Sequence, residues 1–152
     1  MYVTELVNNQ KHQVKVKRLD EDDYKKIVKT RFYFNWKTEK KHDVYKLVFQ
    51  DEILGLMSCK HYTDEKRIEI KLLAVAKENR GKSKKYSRVA GTLIGFACRE
   101  AIKYYGIEGC VSLVPKTSLK KHYSDYYGMI DAGWQLFLAG QPMLDMLKEY
   151  EL

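Results

Sequence analysis

A basic loop between an apolar strand and an apolar helix is the part of this sequence best suited to chemistry. Residues 77–88 hold six lysines and arginines against a single acid, Glu78. The helix that follows opens near Arg88, where free backbone N–H groups and the positive end of the helix dipole meet. These features are typical of an anion site. The sequence therefore predicts that the loop holds a phosphate-bearing cofactor.

Two regular elements flank the loop and must position it. A strand is predicted over residues 67–76, and a helix over residues 88–105, with Gly106 ending it. Apolar residues recur with the period of a strand in the first element and of a helix in the second. They are Ile68, Ile70 and Leu72 in the strand, and Val89, Leu93, Phe96, Ala97 and Ala101 in the helix.

Strand, loop and helix together resemble the cofactor-binding core of the GNAT (GCN5-related N-acetyltransferase) superfamily, which holds the pyrophosphate of acetyl-CoA on such a loop. The family pattern, Gln/Arg-x-x-Gly-x-Gly/Ala, fits two registers here. One covers residues 85–90 and puts Arg88 at the glycine, and the other begins at residues 79–81 and lengthens the loop. We interpret the loop as lengthened and using both ends. The resemblance then implies cofactor binding by Arg80, Gly81, Lys82, Lys85, Ser87, Arg88, Val89, Ala90 and Gly91.

The resemblance also implies a mixed α/β (α+β) fold with a splayed central sheet flanked by helices. In the family the sheet opens beside the strand that here begins at Arg67, and the pantetheine arm of acetyl-CoA binds there like an added strand. Such an arm needs unpaired strand N–H and C=O groups, which a splayed sheet exposes. The backbone of Leu73, Ala74 and Val75 is implied to bind it. Residues 115–118 replace the family's asparagine, with Thr117 or Ser118 expected to supply a hydroxyl and Thr117 assigned to the cofactor.

Amine acylation by a thioester needs a base, because a protonated amine cannot attack. Histone-type members of the family use a glutamate at the position that matches Glu69. We expect Glu69 on the strand face opposite Ile68 and Ile70, with its carboxylate in the cleft. The alternative is a strand glutamate that only pairs with Lys71.

The departing thiolate needs a hydrogen-bond or proton donor. The family places a tyrosine on the helix after the splayed strand, a few residues before a glycine. Residues 121–128 offer three tyrosines before Gly128, and Tyr123 fits when the register slips by one residue. Tyr126 and Tyr127 are interpreted as packing or rim residues.

The remaining pattern predicts the family order of elements within a single domain over residues 1–152. Asp20 is expected to cap a short helix, and Gly55 is expected to mark a bulge or a close approach. The arrangement of the aromatic segment 31–36 stays open. The further predicted strands cover residues 13–17, 44–49, 53–61, 109–114 and 134–138, and the further helices residues 118–127 and 142–150.

Composition excludes several other classes. The 152 residues are 45% hydrophobic and 32% charged, which fits a folded domain rather than a disordered chain. No apolar run is long enough to cross a membrane, so a cytoplasmic location and no membrane contact are expected. Cys59, Cys98 and Cys110 lack paired spacing, so neither disulfides nor a metal site is expected. The net charge of +8 is partly explained by the basic loop, and nucleic-acid binding stays open.

Two functions follow from these observations. The first is transfer of an acetyl group from acetyl-CoA, by direct attack, to a small-molecule, peptide or aminoacyl amine. The second is a catalytically silent GNAT-fold module that binds an acyl-CoA or a nucleic-acid partner through its basic face. The sequence identifies neither the acceptor nor the oligomeric state, and a homodimer stays open.

Overall fold

The computed structural model describes residues 1–115 and 119–152. Its strands are β1 (Tyr2–Glu5), β2 (Gln10–Gln13), β3 (Lys15–Arg18), β4 (Asp43–Phe49), β5 (Glu52–Tyr62), β6 (Arg67–Val75), β7 (Tyr86–Ser87), β8 (Cys110–Leu113), β9 (Ile130–Asp131) and β10 (Leu136–Ala139). Its α-helices are α1 (Glu21–Lys26), α2 (Lys29–Phe32), α3 (Val89–Tyr105), α4 (Lys120–Tyr127) and α5 (Gln141–Glu149). Short 3-10 turns cover Trp36–Glu39, Thr63–Glu65, Lys77–Asn79 and Gly106–Glu108.

The strands form a mixed α/β fold with two sheets. The larger sheet has the order β3-β4-β5-β6-β8-β10-β9, and a smaller one has the order β2-β1-β7. Among the described residues, β6 pairs in parallel with β8 over its first four residues, from Arg67 opposite Cys110 to Ile70 opposite Leu113. β6 continues to Val75 after β8 has ended, so this edge of β6 opens as the splayed-sheet prediction requires.

The chain divides into two compact units. Residues 1–58 and 72–93 form the first, and residues 59–71 and 94–152 form the second. The single-domain prediction stays a prediction.

The first unit surrounds an aromatic core. Asp20 begins α1 as expected, in a capping box with Asp23, and the aromatic segment that the sequence left open supplies α2 and buried rings. Gly55 marks a close approach: a Cβ there would lie 2.8 Å from Val89 Cγ1 and 3.2 Å from the Ala74 carbonyl oxygen. The core residues are Tyr24, Phe32, Trp36, Val44, Val48, Ile53, Leu56, Ala74 and Ala76.

The second unit is built on β8, which pairs in parallel with β6 and antiparallel with β10. Leu113, Leu136 and Leu138 are buried in these strands, and Met143 and Met146 are buried on α5. Cys98 is also buried, and burial raises the pKa of its thiol to about 12, as expected for a core cysteine. Among the described residues, no helix is both long and apolar enough to cross a membrane.

Most predicted elements are confirmed, with three corrections. The strand predicted at residues 134–138 lies at Leu136–Ala139, because an Asp131–Gly133 turn precedes it and leaves Trp134 exposed. The strand predicted at residues 13–17 is interrupted at Val14, which divides it between β2 and β3. β1, the other strand of the N-terminal hairpin, was not predicted, and neither were β7 and β9.

Candidate functional site

Two hydrogen bonds close the base of the basic loop. Lys85 donates its backbone N–H to the Glu78 carbonyl over 2.9 Å, and Tyr86 donates to the side-chain oxygen of buried Asn79 over 3.1 Å. Residues 81–85 between these contacts are exposed, with Gly81 in the left-handed region at φ +70°. The lysines at positions 82, 84 and 85 therefore extend into solvent from a closed loop, available to an anion.

Arg88 occupies the turn into α3 with a left-handed backbone, φ +76°. This conformation favours glycine, which is the residue that the family pattern has in the register of residues 85–90. Thr92 donates its backbone N–H to the Arg88 carbonyl over 3.0 Å, so the amides of residues 89–91 precede the first intrahelical bond. Those three amides stand at the positive end of a helix of 17 residues.

The N-terminal hairpin holds Arg88 from outside the loop. The Arg88 guanidinium lies 4.1 Å from the centre of the Tyr2 ring, and its Nε donates to the Tyr2 carbonyl over 3.4 Å. β1 pairs with β7, placing Thr4 opposite Ser87. This contact could not be predicted from the sequence, because the loop motif contains no residue that identifies a partner strand.

Arg80, at the other end of the loop, lines a cavity of about 500 Å³ together with Thr30, Arg31, Lys77, Glu78 and Ser83. Its Nε donates to the Val75 carbonyl over 3.0 Å, and its guanidinium lies 3.7 Å from the centre of the Tyr33 ring. Arg31 and Glu78 form an ion pair at 2.5 Å. Burial alone would raise the pKa of Glu78, but the Arg31 hydrogen bonds hold that pKa below its usual value. The cavity therefore retains the positive charge of Lys77 and Arg80.

The end of β6 directs alternate backbone groups to opposite edges. The Ala76 N–H donates to the Leu54 carbonyl over 2.9 Å, and the Ala74 carbonyl points to Gly55, so both face β5. The backbone groups of Leu73 and Val75 consequently face the edge beyond the β8 pairing. Of the three residues assigned from the resemblance, these two have the orientation that an added strand needs.

Glu69 lies in the second unit and is 7% exposed. The Tyr62 hydroxyl donates to its Oε2 over 3.2 Å, and the Lys71 ammonium lies 3.2 Å from the same oxygen. The pairing with Lys71 that the alternative interpretation named is therefore present, but Glu69 is buried rather than on the surface. Its role as the base stays a prediction. Tyr62 was missed by sequence reasoning, because it lies on another strand.

Arg67 stacks on the Tyr62 ring and restricts its orientation. The Arg67 guanidinium lies 4.1 Å from the centre of the Tyr62 ring and donates to Ser112 Oγ over 2.8 Å. Ser112 is also the register partner of Glu69. Glu69 is thereby oriented by a network that includes both β6 and β8.

Tyr123 is half-buried on α4, with its ring centre 5.9 Å from that of Tyr127. Burial, with further contributions from Tyr150, Tyr123 and Tyr126, raises the pKa of Tyr127 far above its usual value. Glu69 and Tyr123 belong to the second unit, and the loop residues to the first. Thr117 lies outside the described residues. Within residues 1–115 and 119–152, no group of three or more His, Cys, Asp or Glu side chains could hold a metal ion.

The chain has a GNAT-type fold, so the resemblance drawn from the sequence is confirmed for the fold. The sequence matches no family model and no curated protein. Among solved structures it is similar to Ard1 from Thermoplasma volcanium, with a TM-score of 0.62 at 12% identity, covering 84% of this chain and 97% of that one.

Two further solved structures are similar over nearly their whole length. The ribosomal-protein-S18-alanine N-acetyltransferase from Escherichia coli has a TM-score of 0.61 at 11% identity, covering 85% of this chain and 97% of its own. An acetyltransferase from Bacillus subtilis in complex with CoA has a TM-score of 0.59 at 16% identity, covering 84% and 99%. At these identities the likeness shows the fold alone, and the activities named for these structures are not transferred to this chain.

Proposed function

We propose that this protein is an acetyl-CoA-dependent N-acetyltransferase that acylates an amine acceptor. The observation that carries the proposal is the turn into α3, where Arg88 has a left-handed backbone and three helix-terminal amides follow an exposed basic loop. Amides at the start of a long helix are an anion-binding arrangement. Within a GNAT fold, the anion for which this arrangement is suited is the pyrophosphate of CoA.

The residues present fit such a cofactor. The amides of Val89, Ala90 and Gly91 would hold the pyrophosphate, with Lys82 and Lys85 supplying compensating charge. Gly81, Ser87 and the Arg88 backbone shape the loop. The cavity beside Arg80 has the charge to take a further phosphate. The outward backbone groups of Leu73 and the Val75 N–H would bind the peptide-like arm, since the Val75 carbonyl already accepts from Arg80. Thr117 remains a proposed contact from the resemblance.

The chemistry that we assign to this chain is general acid–base catalysis of acetyl transfer. When bound, acetyl-CoA supplies an acyl thioester. We assign Glu69 to take a proton from the acceptor ammonium, directly or through water, so that the neutral amine can form the new C–N bond as the C–S bond breaks. Tyr62 and Lys71 hold the accepting oxygen in one position. The Tyr123 hydroxyl is assigned to the leaving sulfur, as hydrogen-bond or proton donor.

Calorimetric titration with acetyl-CoA tests the binding half of the proposal. A Lys82→Gln, Lys85→Gln variant should weaken binding by roughly tenfold at low salt and less at high salt, because exposed charges are screened. The matched control is Lys15→Gln, Lys17→Gln, which removes two exposed lysines from β3 of the same unit and should leave affinity unchanged. Equal affinity of both variants and the parent would overturn the loop assignment.

A thiol-release screen over small amines, peptides and aminoacyl amines tests the transfer half. Release of CoA thiol that depends on one amine class would support catalysis and identify the acceptor class. Tight acetyl-CoA binding with no release for any amine would favour a silent binding module instead.

A further inference from the structure

The positive charge of the chain is concentrated in one of its two units. The first unit holds 18 lysines and arginines against 10 acids, whereas the second holds 10 of each. The net charge of +8 therefore belongs to the first unit, and the second is neutral. The basic loop at residues 77–88 supplies only six of those cations, so the first unit stays basic when the loop is set aside. Positive charge concentrated on one part of a chain is typical of a polyanion-binding surface.

Part of this remaining charge lies in a row of three lysines along β2 and β3, the lysine row. It consists of Lys11, Lys15 and Lys17, and all three side chains are exposed. An even spacing along an extended chain places side chains on one side of it. The side chains between them that are not exposed are those of His12, Val14 and Val16. The exposure of the segment thus follows the alternation, and the three ammonium groups face solvent together.

The neighbouring strands place no acid opposite the lysine row. The residues opposite its members in register are Thr4, Val48 and Lys46. Lys46 lies directly opposite Lys17, and its ammonium is paired with Asp23 at 2.6 Å. Like charges opposite each other in a sheet are destabilising. Pairing within the sheet therefore does not account for the lysine at position 17.

The lysine row reaches the start of α3 through Tyr2. The Lys11 ammonium lies 4.4 Å from the centre of the Tyr2 ring, and the Arg88 guanidinium lies 4.1 Å from the same point. Thr4 shares the strand face of Tyr2, and Gln13 lies opposite Tyr2 in register, so uncharged hydrogen-bonding groups accompany the two cations. Lysine, arginine, threonine, glutamine and tyrosine side chains all contact phosphate oxygens in nucleic-acid complexes. The surface extends over several residues, which suits a chain of phosphates better than one small anion.

We propose that the lysine row, with Tyr2 and Arg88 at one end, is a binding surface for the phosphate backbone of a nucleic acid. Phosphate contacts carry no direct sequence information, so the binding is independent of base sequence. Firm attachment to a bilayer needs buried apolar area besides positive charge, and the lysine row contains no apolar side chain. The proposal is independent of the acetyl-transfer assignment, because none of the three lysines is assigned to the cofactor.

Fluorescence anisotropy of a short labelled oligouridine, titrated with the full chain, tests the proposal. Binding should be saturable at low salt, and the logarithm of the binding constant should fall linearly with the logarithm of the salt concentration. A Lys11→Gln, Lys15→Gln, Lys17→Gln variant should bind at least about tenfold more weakly at low salt, and its salt slope should be smaller by about two, because three phosphate contacts are lost. Oligodeoxythymidine and a DNA duplex, titrated in parallel, identify which form of nucleic acid binds best.

The matched control removes three exposed lysines from the neutral second unit. Lys103→Gln, Lys121→Gln, Lys148→Gln changes the net charge equally and should leave oligouridine binding unchanged. An equal loss in both variants, or no loss in the lysine-row variant, would overturn the proposal. A loss confined to the Lys82→Gln, Lys85→Gln loop variant would also overturn it, because the nucleic acid would then bind the loop.

β2 and β3 are edge strands, where lysine also prevents sheets from pairing edge to edge. Lys15→Glu, Lys17→Glu keeps the edge charged but repels phosphate, so this variant should stay monomeric and bind oligouridine more weakly than the parent. Unchanged oligouridine binding by this variant would reduce the lysines to edge protection. Binding of the parent to phosphatidylserine vesicles but to no oligonucleotide would identify a membrane surface and overturn the proposal. Acetyl-CoA affinity should be unchanged in this variant, which separates the result from that of the proposed function.

Discussion

The guanidinium of Arg88 lies 4.1 Å from the centre of the Tyr2 ring, and this contact joins the N-terminal hairpin to the start of α3. Arg88 therefore has two structural tasks. Its backbone takes a left-handed turn that favours glycine, and its side chain holds β1. The two tasks can be separated by substitution.

Replacing Arg88 by alanine or glycine removes the same guanidinium contacts, but only glycine relieves the backbone. We expect Arg88→Gly to be more stable than Arg88→Ala by about 1 kcal/mol, measured as the free energy of unfolding in urea. Arg99 provides the control, because it is exposed in the interior of the same helix. There the order should reverse, with glycine about 1 kcal/mol less stable than alanine. The same order at both sites would contradict the backbone argument.

The second prediction concerns Glu69. Glu69→Gln keeps the shape of the side chain but removes its ability to take a proton. Turnover should therefore fall most at low pH, where the acceptor amine is protonated, and acetyl-CoA affinity should be kept. A pH–rate profile identical to that of the parent would make Glu69 a structural partner of Lys71.

Tyr62 is predicted to position Glu69. Tyr62→Phe deletes the hydroxyl that donates to Glu69 Oε2. Turnover should fall severalfold while acetyl-CoA affinity is kept, and the loss should disappear in a Glu69→Gln background, which simple loss of packing would not cause. Tyr104→Phe, at an exposed tyrosine of the same unit, is the control and should leave turnover unchanged.

The fourth prediction tests the proposed donor on α4. Tyr123→Phe should slow the chemical step at least about tenfold while acetyl-CoA binding and unfolding change little. Tyr127→Phe is the matched control one turn later and should have a mild effect on the chemical step. A damaging Tyr127→Phe with a silent Tyr123→Phe would shift the assignment by one helical turn.

The fifth prediction is a pH dependence of stability from Asp23, which is buried at the start of α1. Burial alone would raise its pKa, but the Asp20 amide and the Lys46 ammonium, 2.6 Å away, hold the pKa of Asp23 below its usual value of 3.8. The stabilisation is therefore complete above about pH 4 to 5 and is lost as the pH falls below that range.

Asp23→Asn should consequently cost about 1–2 kcal/mol of unfolding free energy at pH 7, and the difference from the parent should shrink towards pH 3. Asp22→Asn is the control, because that neighbouring carboxylate is 85% exposed. Its effect should be small at every pH. A difference at Asp23 that stays constant down to pH 3 would contradict the ion-pair explanation.

The features that could be predicted from the sequence are those set by residues close together along the chain. Elements defined by local signals were predicted well: Asp20 begins α1, Gly128 ends α4, and apolar alternation defines β6. Contacts between distant segments were not predicted. Tyr62 contacts Glu69 only because β5 and β6 belong to one sheet, and Tyr2 contacts Arg88 only because β1 pairs with β7.

The candidate site follows the same pattern. The basic loop and its helix could be read from charge and periodicity, because both lie within one continuous stretch of chain. The burial of Glu69 could not, since alternation along β6 identifies a face but does not say what covers it.

The pairing of β1 with β7 also has a consequence for biosynthesis. Tyr2 and Arg88 are separated by 86 positions, so the first strand leaves the ribosome long before its partner exists. Until residues 86–87 have been translated, β1 can pair with β2 but not with β7. Such distant contacts form slowly, because the intervening chain must first be ordered. We expect a ribosome-bound nascent chain to protect the N-terminal segment from protease only after β7 has emerged from the exit tunnel.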